Sequence, residues 1–224
     1  MYSLRYGGMK QMIEKQGQGI ITESKLRSVY DRPSDLAVAK QLNRLDTYCR
    51  HFIKLSPFVL LATTDHQGRI DVSPRGDAPG FVHAGDDRTL HLPDRRGNNR
   101  LDSLTNIVQT SNVGLLFMIP GFMECLRVNG AAQIRQDSSL IARAEVQGKK
   151  PTSVILISVQ EAFFQCGKAL ARSRLWDPHT QVDRNVMPGL GRILKEQTSE
   201  QPMSDSQRDA ADDLINEAYR NQLY

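Results

Sequence analysis

The chain has 224 residues, of which 24% are charged, with a formal net charge of +4 and three cysteines. That length buries one sizeable core without requiring a second domain, and no run approaches the roughly twenty apolar residues needed for a membrane-spanning helix. The small positive excess suits an anionic small ligand, but it is not gathered into a long basic block, so a nucleic-acid partner is not expected.

In chain order, residues 1–8 lack the apolar core of a secretion signal, which points to a cytoplasmic protein. Residues 22–30 read as a short capped helix, closed by Asp31-Arg32-Pro33 because proline restricts the residue before it. A longer helix is predicted from Ser34 to Ser56-Pro57. Leu36, Val38, Ala39, Leu42, Leu45, Cys49, Phe52 and Ile53 recur there at three- and four-residue intervals, an apolar stripe suited to lie across a sheet.

The period then changes. Runs at 58–64, 69–72, 79–83, 89–92, 113–118, 123–136 and 153–159 are short, rich in Val, Ile, Leu, Phe and Thr, and separated by Gly, Asp, Asn or Pro turns, as expected of an antiparallel β core. Between the fourth and fifth, residues 99–109 carry Leu101, Leu104, Ile107 and Val108 at helical spacing, which places Asn99 and Arg100 at or near a helix start. Residues 160–172 read as a helix carrying Phe163 and Phe164, with Gln165-Cys166-Gly167-Lys168 complicating its centre. Trp176-Asp177-Pro178-His179 breaks structure, and the polar stretch to Gln201 reads as an ordered arm or a loop. Ser204 or Asp205 caps a final helix in which Ala210, Leu214, Ala218 and Ile215 face inward. The expected fold is mainly β with peripheral helices (α+β), a single domain over 1–224. Its parts are N-terminal helices (22–55), a β core (58–159) and a C-terminal helical extension (160–224).

Cys49, Cys125 and Cys166 are widely separated in apolar settings and read as buried thiols, not as a disulfide framework or a zinc site. The five histidines form no metal spacing, and no residue stands out as a catalytic base.

Two turns carry chemistry. Leu92-Pro93-Asp94-Arg95-Arg96-Gly97-Asn98-Asn99-Arg100 places three guanidiniums and two amides directly after a strand. Ser73-Pro74-Arg75-Gly76-Asp77 ends another strand with an arginine and a hydroxyl. Arginine presents a planar fork of donors, and a phosphate accepts such donors in pairs. Either turn alone could be an ordinary solvated turn, since Asp, Asn and Gly populate these; together they point to a compact anion.

With these motifs, Ile119-Pro120-Gly121 and Leu126-Arg127-Val128-Asn129-Gly130, the segment 58–132 resembles the pyridoxamine 5'-phosphate oxidase-like family of FMN-binding split β-barrels. It is closest to a branch of flavin proteins distinct from the oxidase itself. The preceding helix and the stretch 166–176 share the resemblance more loosely. It implies a split β-barrel, FMN as cofactor, and a homodimer with two equivalent flavin clefts at its interface. Carried over by motif, Arg75, Asn99 and Arg100 are the expected FMN-phosphate ligands, Ser73 a supporting hydroxyl and Arg95 a further cation, with Arg96 facing solvent. Lys168 and Trp176 are candidates from the second subunit for a polar edge contact and an aromatic cover on the flavin ring.

The function implied is an FMN-dependent oxidoreductase acting on a small molecule, since flavin itself accepts a hydride or electrons and needs no acid–base pair from the protein. A flavin-binding or sensing protein without turnover is the alternative, and related barrels bind haem or a deazaflavin. Oxidation of pyridoxamine 5'-phosphate would require a second phosphate site and an arginine-bearing C-terminal segment, where this chain instead reads Tyr219-Arg220-Asn221-Gln222-Leu223-Tyr224.

Overall fold

A computed structural model describes residues 19–224, so the stretch 1–8 weighed for an export signal lies outside the described residues. The chain divides into two compact units, Met1–Lys40 and Gln41–Tyr224. In the first, α1 (Glu23–Arg27) and α2 (Asp35–Ala39) start where the hydroxyls of Thr22 and Ser34 accept from the N–H groups of Lys25 and Ala37. Leu36 and Val38 are exposed, so the apolar stripe does not run through α2.

The long helix expected from Ser34 is not formed. In the second unit Leu42 exchanges both backbone hydrogen bonds with Ala162, at 2.9 and 2.8 Å. Asp46 then accepts from Cys49 N–H at 2.7 Å and starts a separate helix, α3 (Thr47–Leu55). A strand-like bridge and a new N-cap outcompete helix continuation, so only Leu45, Cys49, Phe52 and Ile53 of the stripe are buried.

The strands are β1 (Phe58–Thr64), β2 (Ile70–Gly76), β3 (His83–Ala84), β4 (Thr89–Asp94), β5 (Asn112–Met118), β6 (Cys125–Arg135) and β7 (Ser153–Gln165). They form one antiparallel sheet in the order β2-β1-β5-β6-β7-β4-β3. Alternation sends Val59 and Leu61, Leu90 and Leu92, and Val113, Leu115 and Phe117 into one core with Ile155 and Ile157. The order places β2 at one end of the sheet and β4 with β3 at the other. Yet Arg75 of β2 and Asp94 of β4 form an ion pair at 2.9 Å, and Asp77 and Arg95, one residue beyond each strand, form another at 2.7 Å. The sheet therefore curls until its ends meet, giving the α+β split β-barrel expected from the sequence.

Several elements differ from expectation. The strand expected at 79–83 shrinks to His83–Ala84, because Gly80 turns the chain at φ +82° and Phe81 N–H closes on the Ala78 carbonyl. Of the helix expected over 160–172, residues 160–165 are instead the end of β7, and only its last part, from Lys168, is helical. Phe163 and Phe164 pair with Arg127 and Leu126, since the long β6 offers a ladder that β7 follows past a bulge at Asn129/Gly130. Helix α4 (Asp102–Thr110) follows the Arg-rich turn, α5 (Ser138–Arg143) follows β6, and α6 (Lys168–Ser173) begins only after β7 ends. Cys49 and Cys125 are buried, but Cys166, at the turn between β7 and α6, is exposed. Burial pushes the Cys49 thiol up to about 12.

At the C-terminal end, α7 (Leu190–Thr198) packs on α8 (Asp205–Asn221), with Gly191 against the Ala211 backbone, where a Cβ could not fit. Ser204 caps α8 through the expected exchange with Gln207. The buried residue of α8 is Ala211; Leu214 and Ala210 are exposed, so the packed face is rotated by about one residue from that expected.

Candidate functional site

Strand alternation places Asp71, Ser73 and Arg75 on one face of β2. Closure of the barrel brings that face to the end of β4 and to the turn that follows it. The result is a cavity of about 880 Å³ whose wall includes Ser73, Arg75, Arg95, Arg96, Asn99 and Arg100. Every residue expected at the phosphate thus lines one chamber.

The turn into α4 is built for close approach. Asn99 and Leu101 sit in the left-handed region, at φ +58° and +60°, a conformation Asn tolerates and Leu adopts only when its surroundings impose it. Arg100 N–H donates to Asn98 Oδ1 at 3.0 Å. Helix α4 has no side-chain cap, and its first-turn residues Asp102, Ser103 and Leu104 line the cavity, so its N-terminal amides and dipole face the chamber. Ser103 Oγ donates to Asp71 Oδ2 at 2.6 Å, and Asn106 and Thr110 bond to Thr63 and Thr64, which locks the helix onto β1.

The arginines differ in what holds them. Arg75 Nη1 donates to Asp94 Oδ1 at 2.9 Å, while its Nε is buried with no hydrogen-bond partner. Arg95 commits Nε to Asp77 and Nη1 to the Ala144 carbonyl, both at 2.7 Å, and its guanidinium lies 5.6 Å from the centre of the Tyr224 ring. Asp77 also accepts from Tyr224 Oη and Ala78 N–H, each at 2.7 Å. Burial alone would raise its carboxyl, but Tyr224, Ala78 and Arg95 together hold it below the usual carboxylate range. Arg100 is exposed and bonds Asp102 at 2.8 Å; Arg96 is exposed on the cavity rim.

Sequence reasoning did not single out Lys149, Lys150 or Tyr224, which also line the chamber. The run Gly148-Lys149-Lys150-Pro151 carried a usable signal, a third basic turn; Tyr224 carried none. The wall sets Arg75, Arg95, Arg96, Arg100, Lys149 and Lys150 against Asp71, Asp77, Asp94 and Asp102, and Lys150 also pairs with Glu145 at 3.9 Å, which leaves a small positive excess. Lys168 and Trp176 are not among the residues lining this chamber. Lys168 opens α6, and Trp176 donates its indole N–H to the Phe122 carbonyl at 2.8 Å. Among the described residues no group of three or more His, Cys, Asp or Glu could hold a metal ion, and no helix is long and apolar enough to cross a membrane.

Residues 45–166 match the family model described as pyridoxamine 5'-phosphate oxidase. No curated protein matches the chain. Similar solved structures include HupZ from Group A Streptococcus, at 19% identity and TM-score 0.45, covering 54% of this chain and 94% of that one. An FMN-binding protein from Syntrophomonas wolfei subsp. wolfei follows at 13% identity and TM-score 0.41, covering 51% and 82%. The heme storage protein HutZ from Vibrio cholerae has 16% identity and TM-score 0.37, covering 54% and 94%. Likeness at this level concerns the fold alone.

Proposed function

The chain belongs to the pyridoxamine 5'-phosphate oxidase family, and from that premise we propose that it is an FMN-binding flavoprotein acting as an oxidoreductase on a small molecule. The observation that carries the reading is Arg75 Nε, a buried donor without a partner in the wall of a chamber lined with basic side chains. A buried unpaired donor costs about 1–3 kcal/mol, which a phosphate oxygen would offset. The positive excess of the wall suits a phosphate monoester.

In this reading Arg75 donates to the phosphate while Asp94 fixes its fork. Asn99, Arg100 and the uncapped amides of α4 supply further donors, with Ser73 a supporting hydroxyl. Arg95, already bound to Asp77 and Ala144, contributes charge and holds the wall. Bound FMN would supply the hydride- or electron-accepting ring; the protein's part is to anchor, orient and shield it.

Edge strand β2 exposes Ile70 and Val72 at 76% and 58% on the face opposite Asp71, Ser73 and Arg75. An apolar pair on an open edge beside the chamber favours pairing with a second copy, so a homodimer is part of the proposal. Lys168 and Trp176 then belong to the partner's flavin site rather than to the chamber of their own chain.

The test is an absorption spectrum of the purified protein, followed by release and mass identification of any chromophore and by FMN titration of Arg75→Ala. FMN stoichiometric with the chain, and weakened retention in the variant, are expected. No chromophore and no FMN uptake would overturn the assignment. Stoichiometric FMN with no turnover of any reductant or acceptor would reduce it to flavin binding alone.

A further inference from the structure

Part of the chamber wall comes from beyond the barrel. After α8 ends at Asn221, Leu223 and Tyr224 return to the barrel and line the chamber beside Asp77 and Arg95. We propose that Tyr224 closes the chamber at its phosphate end and thereby selects a flavin that ends in a phosphate monoester, FMN, over one that continues through a diphosphate into a second nucleotide, FAD. The proposal rests on the flavin reading and adds to it the residue that sets which flavin fits.

The arginines locate the phosphate end. Arg75, whose buried Nε has no partner, is held by Asp94 at 2.9 Å. The next pair adjoins it in both strands, since Asp77 follows Arg75 by two residues and Arg95 follows Asp94 by one, and the two meet at 2.7 Å. The Tyr224 phenol donates to Asp77 Oδ1 at 2.7 Å, and its ring lies 5.6 Å from the Arg95 guanidinium. Tyr224 is thus fastened to the pair beside the expected phosphate. A monoester terminates there. A dinucleotide must carry a second phosphate, a ribose and a base onward, past the wall that Tyr224 completes.

The members of this wall differ in how firmly they are held. The Asp77 and Arg95 side chains are shielded from water. Each has a further anchor within the barrel: Asp77 accepts from Ala78 N–H, and Arg95 donates to the Ala144 carbonyl. Tyr224 is held to the same place by its bond to Asp77 and its contact with Arg95, and it follows a helix that packs chiefly on α7. It is therefore the member that yields when the wall is opened, and it acts as a latch. A hydrogen bond to a shielded carboxylate is stronger than one between neutral groups, and the cation over the ring adds to it, so the closed wall is favoured.

The test equilibrates the full chain with equimolar FMN and FAD and reads the bound ratio after release, with urea melts to check folding. Wild type is expected to hold FMN over FAD by about tenfold or more, because FAD must displace the Tyr224 bond to a charged acceptor, and Tyr224→Ala to narrow that ratio by about tenfold. Tyr224→Phe keeps the ring over Arg95 but loses the bond to Asp77, and is expected to fall between the two. Tyr219→Ala, at an exposed position of α8, is expected to match wild type. An unchanged ratio in Tyr224→Ala, whether or not total flavin falls, or a wild type that takes FMN and FAD alike, would each overturn the role of Tyr224 while leaving flavin binding intact. Uptake of neither flavin by the wild type would overturn the flavin reading itself, and this proposal with it.

Discussion

Asp77→Asn tests whether the barrel ends are held together by a buried charge pair. The Asp77 side chain is 1% exposed and that of Arg95 15%, and the carboxylate accepts from Arg95, Tyr224 and Ala78. The amide keeps one acceptor oxygen but removes the charge, leaving the Arg95 guanidinium shielded from water without its counterion. Breaking a buried pair from one side costs about 3–5 kcal/mol, and the retained acceptor puts the expected loss near the lower end, about 3 kcal/mol. With a urea slope of about 2 kcal/mol/M, the unfolding midpoint should fall by about 1.5 M. Asp87→Asn, on the exposed pair with Arg44, should shift stability by no more than about 0.5 kcal/mol. The Asp77 carboxyl is held below its ordinary value of 3.8 in the folded chain. Its contribution is therefore complete above that pH and lost as pH falls through the folded value, so the gap between wild type and variant should close in acid. A midpoint for Asp77→Asn no lower than that of Asp87→Asn at neutral pH would refute the reasoning.

Arg100→Ala should weaken FMN retention about tenfold more than Arg96→Ala, read by fluorescence titration; equal retention would reject the division of roles between the two arginines. Gly130→Ala should destabilise the chain by about 1–3 kcal/mol in urea melts, because a Cβ there meets the Ser158 carbonyl across the bulge; an unchanged midpoint would mean the bulge can relax freely. Trp176→Phe should cost about 1 kcal/mol through the lost bond to Phe122 and should also change the fluorescence of bound flavin in a dimer of confirmed mass. An unchanged flavin signal would leave Trp176 with the Phe122 bond alone.

What the sequence by itself determined is local. Alternation of apolar residues set the faces of β1, β4 and β5, and Ser204 with Gln207 set the start of α8. The residue types of the two Arg-bearing turns supplied donors suited to an anion, and every candidate for the proposed phosphate site lies on one chamber wall. Contacts between distant residues decided the rest, because periodicity encodes which face is apolar but not which partner meets it. Helical spacing in 34–53 gave way to the Leu42–Ala162 bridge, and the Phe163-Phe164 segment to the ladder along β6. Only the curling of the sheet brought Arg75 to Asp94 and Asp77 to Arg95, separating an arginine with an unmet buried donor from one already neutralised. The same closure brought in Lys149, Lys150 and Tyr224. Charge neutralisation depends on distance in space, which chain position does not reveal.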